Sequence, residues 1–229
     1  VEQCFAYIGY PSNDYYGGHR LGDNLFATSI VCLDASSGEL IWSFQTTHHE
    51  IWDYDLPAAP NLVDITVDGK EIKGLAQVSK QGFVYVLDRV TGEPVWPIEE
   101  RTVPVSNVPG ERAAATQPFP TRPAAFEIQG VNEENLIDFT PELREEALAI
   151  INRYVHGPLF TPPSLKGTVQ VPGDGGGAEW TGAAYDPETS ILYIPSWTRP
   201  ILAQLVSTEG LDTEFDYVIN GKVATVNGP

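Results

Sequence analysis

The sequence predicts an all-β protein assembled from repeated antiparallel hairpins, and three observations lead there. Residues 33–42, Leu-Asp-Ala-Ser-Ser-Gly-Glu-Leu-Ile-Trp, and residues 87–96, Leu-Asp-Arg-Val-Thr-Gly-Glu-Pro-Val-Trp, share one frame, in which Asp34 and Asp88 precede Gly38 and Gly92 and then Trp42 and Trp96. A degraded third copy starts at Asp186, with Ser190 in the glycine place and Ile194 in the tryptophan place. An apolar run precedes each full copy, Ser29 to Leu33 and Gly82 to Leu87. Such runs read as strands buried on both faces. The Asp and Gly between run and Trp form a tight turn, because Asp bonds its own backbone and Gly accepts positive φ. Units that recur this way bury their faces on one another, and sheets stacked in a ring, a β-propeller, accommodate them.

Taken in order, 5–10 and 25–33 read as strands separated by a Gly/Asn/Asp/Tyr loop at 11–24. Residues 39–46 form the return strand, and 47–61 a loop. Residues 62–67 and 72–78 flank Asp68-Gly69, a type I′ hairpin signal. Residues 82–87 and 93–98 make the next hairpin. Five prolines between 99 and 132 predict a long surface loop. One helix is expected at about 140–156. Thr140 is its N-cap, Pro141 sits in the first turn, and Glu142, Glu145 and Glu146 complement the dipole. Leu143, Ala147, Leu148, Ile151 and Tyr154 form its apolar face, and Gly157 ends it. It reads as an insertion between repeats. A last hairpin is expected around Asn220-Gly221.

The chain has 229 residues, with 31 acidic against 13 basic side chains and a net charge of −18. No basic stripe is available for phosphates, which argues against nucleic acid. The acidity is compatible with cation binding and an extracytoplasmic setting. No run of 18 apolar residues occurs, and the first residue is Val1 rather than Met, so we read the chain as an internal piece of a longer protein, with a mature chain starting at Val1 as the alternative. Cys32 lies in an apolar strand and reads as a small core residue; a Cys4–Cys32 disulfide stays open if the compartment oxidises. No dinucleotide fingerprint, P-loop, serine elbow or CxxCH haem signal is present.

The hairpins resemble the Trp-docking repeats of the pyrroloquinoline quinone (PQQ) dependent dehydrogenases. Gly22-Asp23-Asn24-Leu25, the run from Gln45 through Trp52-Asp53-Tyr54-Asp55, and Lys80-Gln81-Gly82 through Asp88-Arg89 fall in that family's order. Thr116-Gln117-Pro118-Phe119, Phe160-Thr161-Pro162-Pro163-Ser164 and Glu179-Trp180 are similar to the branch that contains the quinoprotein glucose dehydrogenases. The similarity spans roughly residues 5–200. It implies a partial eight-bladed propeller of about three to four blades, with residues 1–229 belonging to a single propeller domain.

On residues alone, Asp53 would cap a turn and Lys80 would be a solvated cation at a strand start. The resemblance implies more. The Asp matching Asp53 is the general base that takes a hydroxyl proton while hydride passes to C5 of the quinone, a role open to a carboxylate whose pKa is tuned by burial or a neighbouring charge. The cation matching Lys80 hydrogen-bonds the quinone oxygens and stabilises the reduced form. Glu179 and Trp180 would lie beside PQQ, reached through Gly175-Gly176-Gly177, whose small residues let backbone approach a flat ligand. A Ca²⁺ ion, wanting oxygen ligands, would take Asn13 or Asp14, although Gly9-Tyr10-Pro11-Ser12-Asn13-Asp14 departs from the family's Gly-Thr-Gly-Asn. His48 and His49, read as strand neighbours facing opposite sides, would not ligate one ion together and are substrate-side or structural.

The implied activity is oxidation of a sugar (aldose) or alcohol by PQQ with Ca²⁺ as Lewis acid. Electrons would leave for an external quinone or cytochrome. The setting would be periplasmic or otherwise extracytoplasmic, with any membrane anchor in a segment outside this sequence. A non-catalytic propeller scaffold is the alternative, and Asp53 and Lys80, which a scaffold does not need, discriminate between the two.

Overall fold

The computed structural model describes residues 2–210 and 212–220, so Gly221 of the expected last hairpin lies outside the described residues. The first sheet is antiparallel, with β1 (Gln3–Ile8), β2 (Ser29–Asp34) and β3 (Leu40–Gln45) in that spatial order. Its second turn is built as the repeat predicts: Asp34 Oδ1 accepts the N–H groups of Ser36 (2.8 Å) and Ser37 (3.0 Å), and Gly38 has φ +75°. The second sheet orders β4 (Asn61–Val67), β5 (Lys70–Val78) and β6 (Val84–Asp88). Asp68 and Gly69 between its first strands both have positive φ, 50° and 77°, as a type I′ turn requires.

Trp42 shows why the repeat needs both a Trp and a Gly. Its indole leaves the first sheet and lies on the turn of the second. Nε1 donates to the Arg89 carbonyl at 3.2 Å, and a Cβ placed on Gly92 would stand 2.7 Å from the ring. Ile30 and Cys32 of one sheet, Leu75 and Leu87 of the other, and Leu56 complete the cluster. Burying this side chain stabilises the contact by roughly 3 kcal/mol. Cys32 is thus a core residue. Cys4 and Cys32 are both free thiols, and Cys4 is exposed.

The second copy makes its turn but not its return strand. Asp88 Oδ1 accepts Val90 N–H at 2.8 Å and Gly92 has φ +79°, yet past the turn only the bridge Leu87–Pro94 forms where 93–98 was expected as a strand. Pro94 and Pro97 carry no N–H with which to continue a ladder. Trp96 is half-buried against a cluster built on Val63, Ala76, Val84, Val86 and Ala178. The segment 99–132 likewise departs from the expected loop: β7 (Ile98–Thr102) pairs with β8 (Thr116–Pro120), placing Pro118 and Pro120 opposite Glu100 and Ile98. A two-stranded ribbon consists of edges, where proline is tolerated.

Helix α1 (Pro141–Ile151) starts as predicted, with the Thr140 side chain accepting Leu143 N–H, and buries Ala147 and Ile151. It ends at Asn152, whose N–H closes the last turn, so Tyr154 and Gly157 lie beyond it. Strands β9 (Thr168–Gln170), β10 (Ala184–Asp186), β11 (Ile191–Tyr193), β12 (Ile201–Ala203), β13 (Leu205–Ser207) and β14 (Tyr217–Ile219) form the antiparallel pairs β9–β12, β10–β11 and β13–β14. The β10–β11 turn is the degraded repeat. Asp186 Oδ1 accepts Glu188 N–H at 2.9 Å, and Ser190 adopts φ +57°, the left-handed backbone that Gly38 and Gly92 supply elsewhere. Tyr185 Oη donates to the Asp64 carbonyl at 3.1 Å, which ties this hairpin to β4. Among the described residues the fold is therefore nearly all β with one α-helix, and neighbouring antiparallel sheets pack on one another.

Candidate active site

The loop between β3 and β4 carries the Trp-Asp-Tyr-Asp run, and its apolar members anchor it. Trp52 and Tyr54 are fully buried with Phe83, Tyr85 and Phe160, Trp52 meeting Phe160 edge-on at 5.2 Å. Their polar atoms are also tied. The Trp52 indole donates to Thr161 O (3.0 Å), Gln170 Nε2 donates to Trp52 O (2.7 Å), and Tyr54 Oη donates to Pro172 O (2.6 Å). Asp53, between them, has φ +58°, a left-handed backbone uncommon for a non-glycine residue. The alternation buries Trp52 and Tyr54 and leaves Asp53 and Asp55 on the side of Lys80.

Lys80, in the turn between β5 and β6, sends Nζ to Asp53 Oδ1 (3.3 Å) and Asp55 Oδ1 (2.7 Å), with only 8% of its side chain exposed. Two carboxylates thus share one buried cation. Burial pushes the Asp53 pKa up to about 7; Lys80 opposes that rise and Asp55 adds to it. Burial alone would lower the Lys80 pKa, but Asp53 and Asp55 outweigh it and the ammonium is held more firmly than usual. Burial also raises the carboxyl of Asp14, which feels the field of Lys80 and Asp55. Asp14, Asp53, Asp55 and Lys80 therefore form one electrostatic set.

Gly176 and Gly177 pack on this lysine, while Gly175 faces Trp197 and Glu179. Gly177 N–H donates to Lys80 O at 2.8 Å, and a Cβ on Gly176 would collide with the Lys80 side chain. The close approach expected toward a flat ligand is here made toward Lys80. Glu179 follows, half-buried, accepting Trp180 N–H at 3.2 Å, while the Trp180 side chain is 82% exposed. Asn13 directs its amide nitrogen to the Tyr217 carbonyl at 2.9 Å. His48 and His49 lie in a turn rather than a strand, and diverge as expected. His48 Nε2 is 3.0 Å from Glu100, and buried His49 Nε2 is 2.8 Å from Glu111. Gln117 of β8 clasps the His48 backbone at both ends, accepting its N–H (2.8 Å) and donating to its carbonyl (2.7 Å).

The model for the glucose/ethanol/alcohol PQQ dehydrogenase β-propeller domain matches residues 2–224. The chain belongs to this family. It is 37% identical over 207 residues to a quinoprotein glucose dehydrogenase of Gluconobacter oxydans, covering 87% of this chain and 25% of that protein. Against the quinoprotein glucose dehydrogenase of Escherichia coli it is 34% identical over 210 residues, 90% of this chain and 26% of that one. The chain thus spans about a quarter of the length of these relatives. A quinohemoprotein alcohol dehydrogenase from Pseudomonas putida has the same fold over 93% of this chain and 26% of its own, with a TM-score of 0.58 at 24% identity.

The donor set can be weighed against the groups the family implies. Lys80 offers a nearly buried ammonium, the partner an anionic quinone needs, and Trp180 offers an uncovered aromatic face. When ionised, three carboxylates against one ammonium leave a net double negative charge of hard oxygen donors, which fits a dication in chemistry. Among the described residues no group of three or more His, Cys, Asp or Glu side chains closes into a metal cage. An apolar cavity of about 230 Å³ beside α1, lined by Val131, Ala147, Ile151 and Val169 among others, has no ionisable wall and lies apart from these groups. Asp55, Lys80's nearer partner, gained no role from sequence reasoning. Its place two residues after Asp53 in an alternating buried run was the available signal.

Proposed function

We propose that this chain supplies the base-bearing part of a PQQ-dependent dehydrogenase that oxidises a sugar (aldose) or alcohol, glucose being the substrate its relatives' names suggest. The observation that carries the proposal is the Asp53–Lys80–Asp55 arrangement. A carboxyl titrating near 7 can accept a substrate hydroxyl proton at working pH, which an ordinary surface aspartate does poorly. Lys80 orients Asp53 through the 3.3 Å contact and presents positive charge where oxygens gain negative charge. PQQ, when bound, supplies the two-electron acceptor for the hydride; Lys80, Trp180 and Glu179 would hold it. Ca²⁺ as Lewis acid would take Asp14 and the side-chain amide oxygen of Asn13, with further ligands from elsewhere in the protein. An external quinone or cytochrome would receive the electrons, in a periplasmic or extracytoplasmic setting.

The test is reconstitution of the full-length protein with PQQ and Ca²⁺, followed by dye-linked oxidation of glucose, other aldoses and short alcohols. Turnover that requires PQQ is expected, while the 229-residue stretch alone should be inactive because it supplies part of the wall. Absence of both PQQ binding and turnover in the full-length protein would favour a non-catalytic propeller.

A further inference from the structure

We propose that Glu50 is the positioning residue for Asp53, holding the base in its left-handed conformation by accepting the backbone N–H groups on either side of it. The inference rests on the reading of Asp53 as the base. Glu50 Oε1 accepts Trp52 N–H at 2.6 Å and Tyr54 N–H at 2.9 Å, and those two residues bracket Asp53. An acid side chain that reaches forward to two nearby backbone N–H groups does what an N-cap does for a helix, but here it fixes the single left-handed residue between them. Positive φ is costly for a non-glycine residue, so it persists only where the surroundings over-determine it. Glu50 is one determinant, and the buried Trp52 and Tyr54 rings are the others.

The environment of Glu50 indicates an active role beyond filling space. The residue is 1% exposed, and its second oxygen, Oε2, has no partner. The groups that face it are Arg20, whose guanidinium donates to the Glu50 backbone carbonyl at 2.6 Å, the N–H groups of Trp52 and Tyr54, the carboxyl of Asp53, and the buried Tyr15 hydroxyl. Burial raises its carboxyl to about 8, against the two N–H bonds, with Asp53 adding to the rise. Leaving one oxygen bare is tolerable for a carboxyl that holds its proton. A glutamate spent only on capping would need neither deep burial nor a second acid next door. The two acids also couple: Asp53, the lower of the two, ionises first, and its charge makes Glu50 keep its proton, so Glu50 aims the base as a neutral carboxyl.

The test compares Glu50→Gln with Glu50→Ala in the full-length protein. Glutamine keeps an oxygen for both N–H groups but never ionises; alanine supplies neither. In the absence of PQQ, amide exchange at Trp52 and Tyr54 should quicken by about tenfold or more in Glu50→Ala and stay near wild type in Glu50→Gln. With PQQ and Ca²⁺, Glu50→Ala should lose between about tenfold and a hundredfold in kcat with little change in KM, as misplacement of a reacting group does. Glu50→Gln should keep most of kcat and an acid limb close to that of the wild type, because Glu50 is still protonated, and so uncharged, while Asp53 titrates near 7. Should Glu50→Ala fail to fold, Glu50→Asp, one methylene short of both N–H groups, replaces it with the same expected loss. Equal losses in the Gln and Ala variants, or an unchanged kcat and pH profile in a folded Ala variant, would overturn the proposal. If the wild-type protein oxidises neither sugar nor alcohol, the functional reading falls, and the exchange data still decide whether Glu50 orders the loop.

Discussion

Residues 50–55 and residues 175–180 both carry predicted site residues, and the structure treats them oppositely. In the first, each residue beside Asp53 is buried and bonded, so the carboxyl is placed by groups within this chain. In the second, Gly176 and Gly177 press on Lys80 while Trp180 stands 82% exposed. The difference teaches which functions one stretch of chain can complete. Tuning a base needs burial and one or two neighbouring charges, which a pair of adjacent sheets provides. Enclosing a flat cofactor needs opposing walls, and this stretch offers one aromatic face.

Variants should separate the two regions by the size of their effects. Asp53→Asn in the reconstituted full-length protein should lower kcat by about a thousandfold while PQQ stays bound, since the amide keeps the shape but accepts no proton; the check is kcat alongside cofactor absorbance. Lys80→Ala should reduce PQQ affinity and turnover together. It should also destabilise the fold by about 3 kcal/mol, because two partly buried carboxylates lose their shared cation; denaturant melts measure this. Trp42→Ala should cost a comparable amount, roughly 3 kcal/mol, by emptying the contact on Gly92, with no direct effect on the base. Trp180→Ala should change stability by no more than about 0.5 kcal/mol, as exposed substitutions do, and weaken PQQ binding only where the full-length protein encloses the ring. A large stability loss from Trp180→Ala would break the contrast.

Stability should also report the burial of the acids. Glu50 and Asp53 both have raised pKa values, so the native state binds more protons than the unfolded chain, and stability should fall as pH rises from about 4 to about 8. Glu50→Gln should flatten that slope in thermal melts taken across the range.

The legible parts of the fold were those whose reason is local. Asp34, Gly38 and Trp42 announce a turn and a docking side chain, and Thr140-Pro141 announces a helix start, because each rests on backbone geometry within a few residues. The return strand after Gly92 was misread because its apolar pattern persists while Pro94 and Pro97 remove the donors. The pairing of β7 with β8 was hidden because prolines at 118 and 120 signal a loop unless the strand is known to be an edge. Within the site, Asp53 and Lys80 were legible through the family's motifs, and 27 residues of separation gave no geometric clue that they touch. Asp55 and Glu50 were missed because their roles depend on which side of a folded loop is buried.

The most direct test of the account is the pH dependence of kcat for the reconstituted full-length protein, measured beside Asp53→Asn. The account predicts a rise to a plateau with an apparent pKa near 7, the value to which burial lifts Asp53, and no such rise in the residual activity of the variant. An acid limb near the ordinary carboxylate value of about 4, or an Asp53→Asn variant with the wild-type profile and near-wild-type rate, would contradict it.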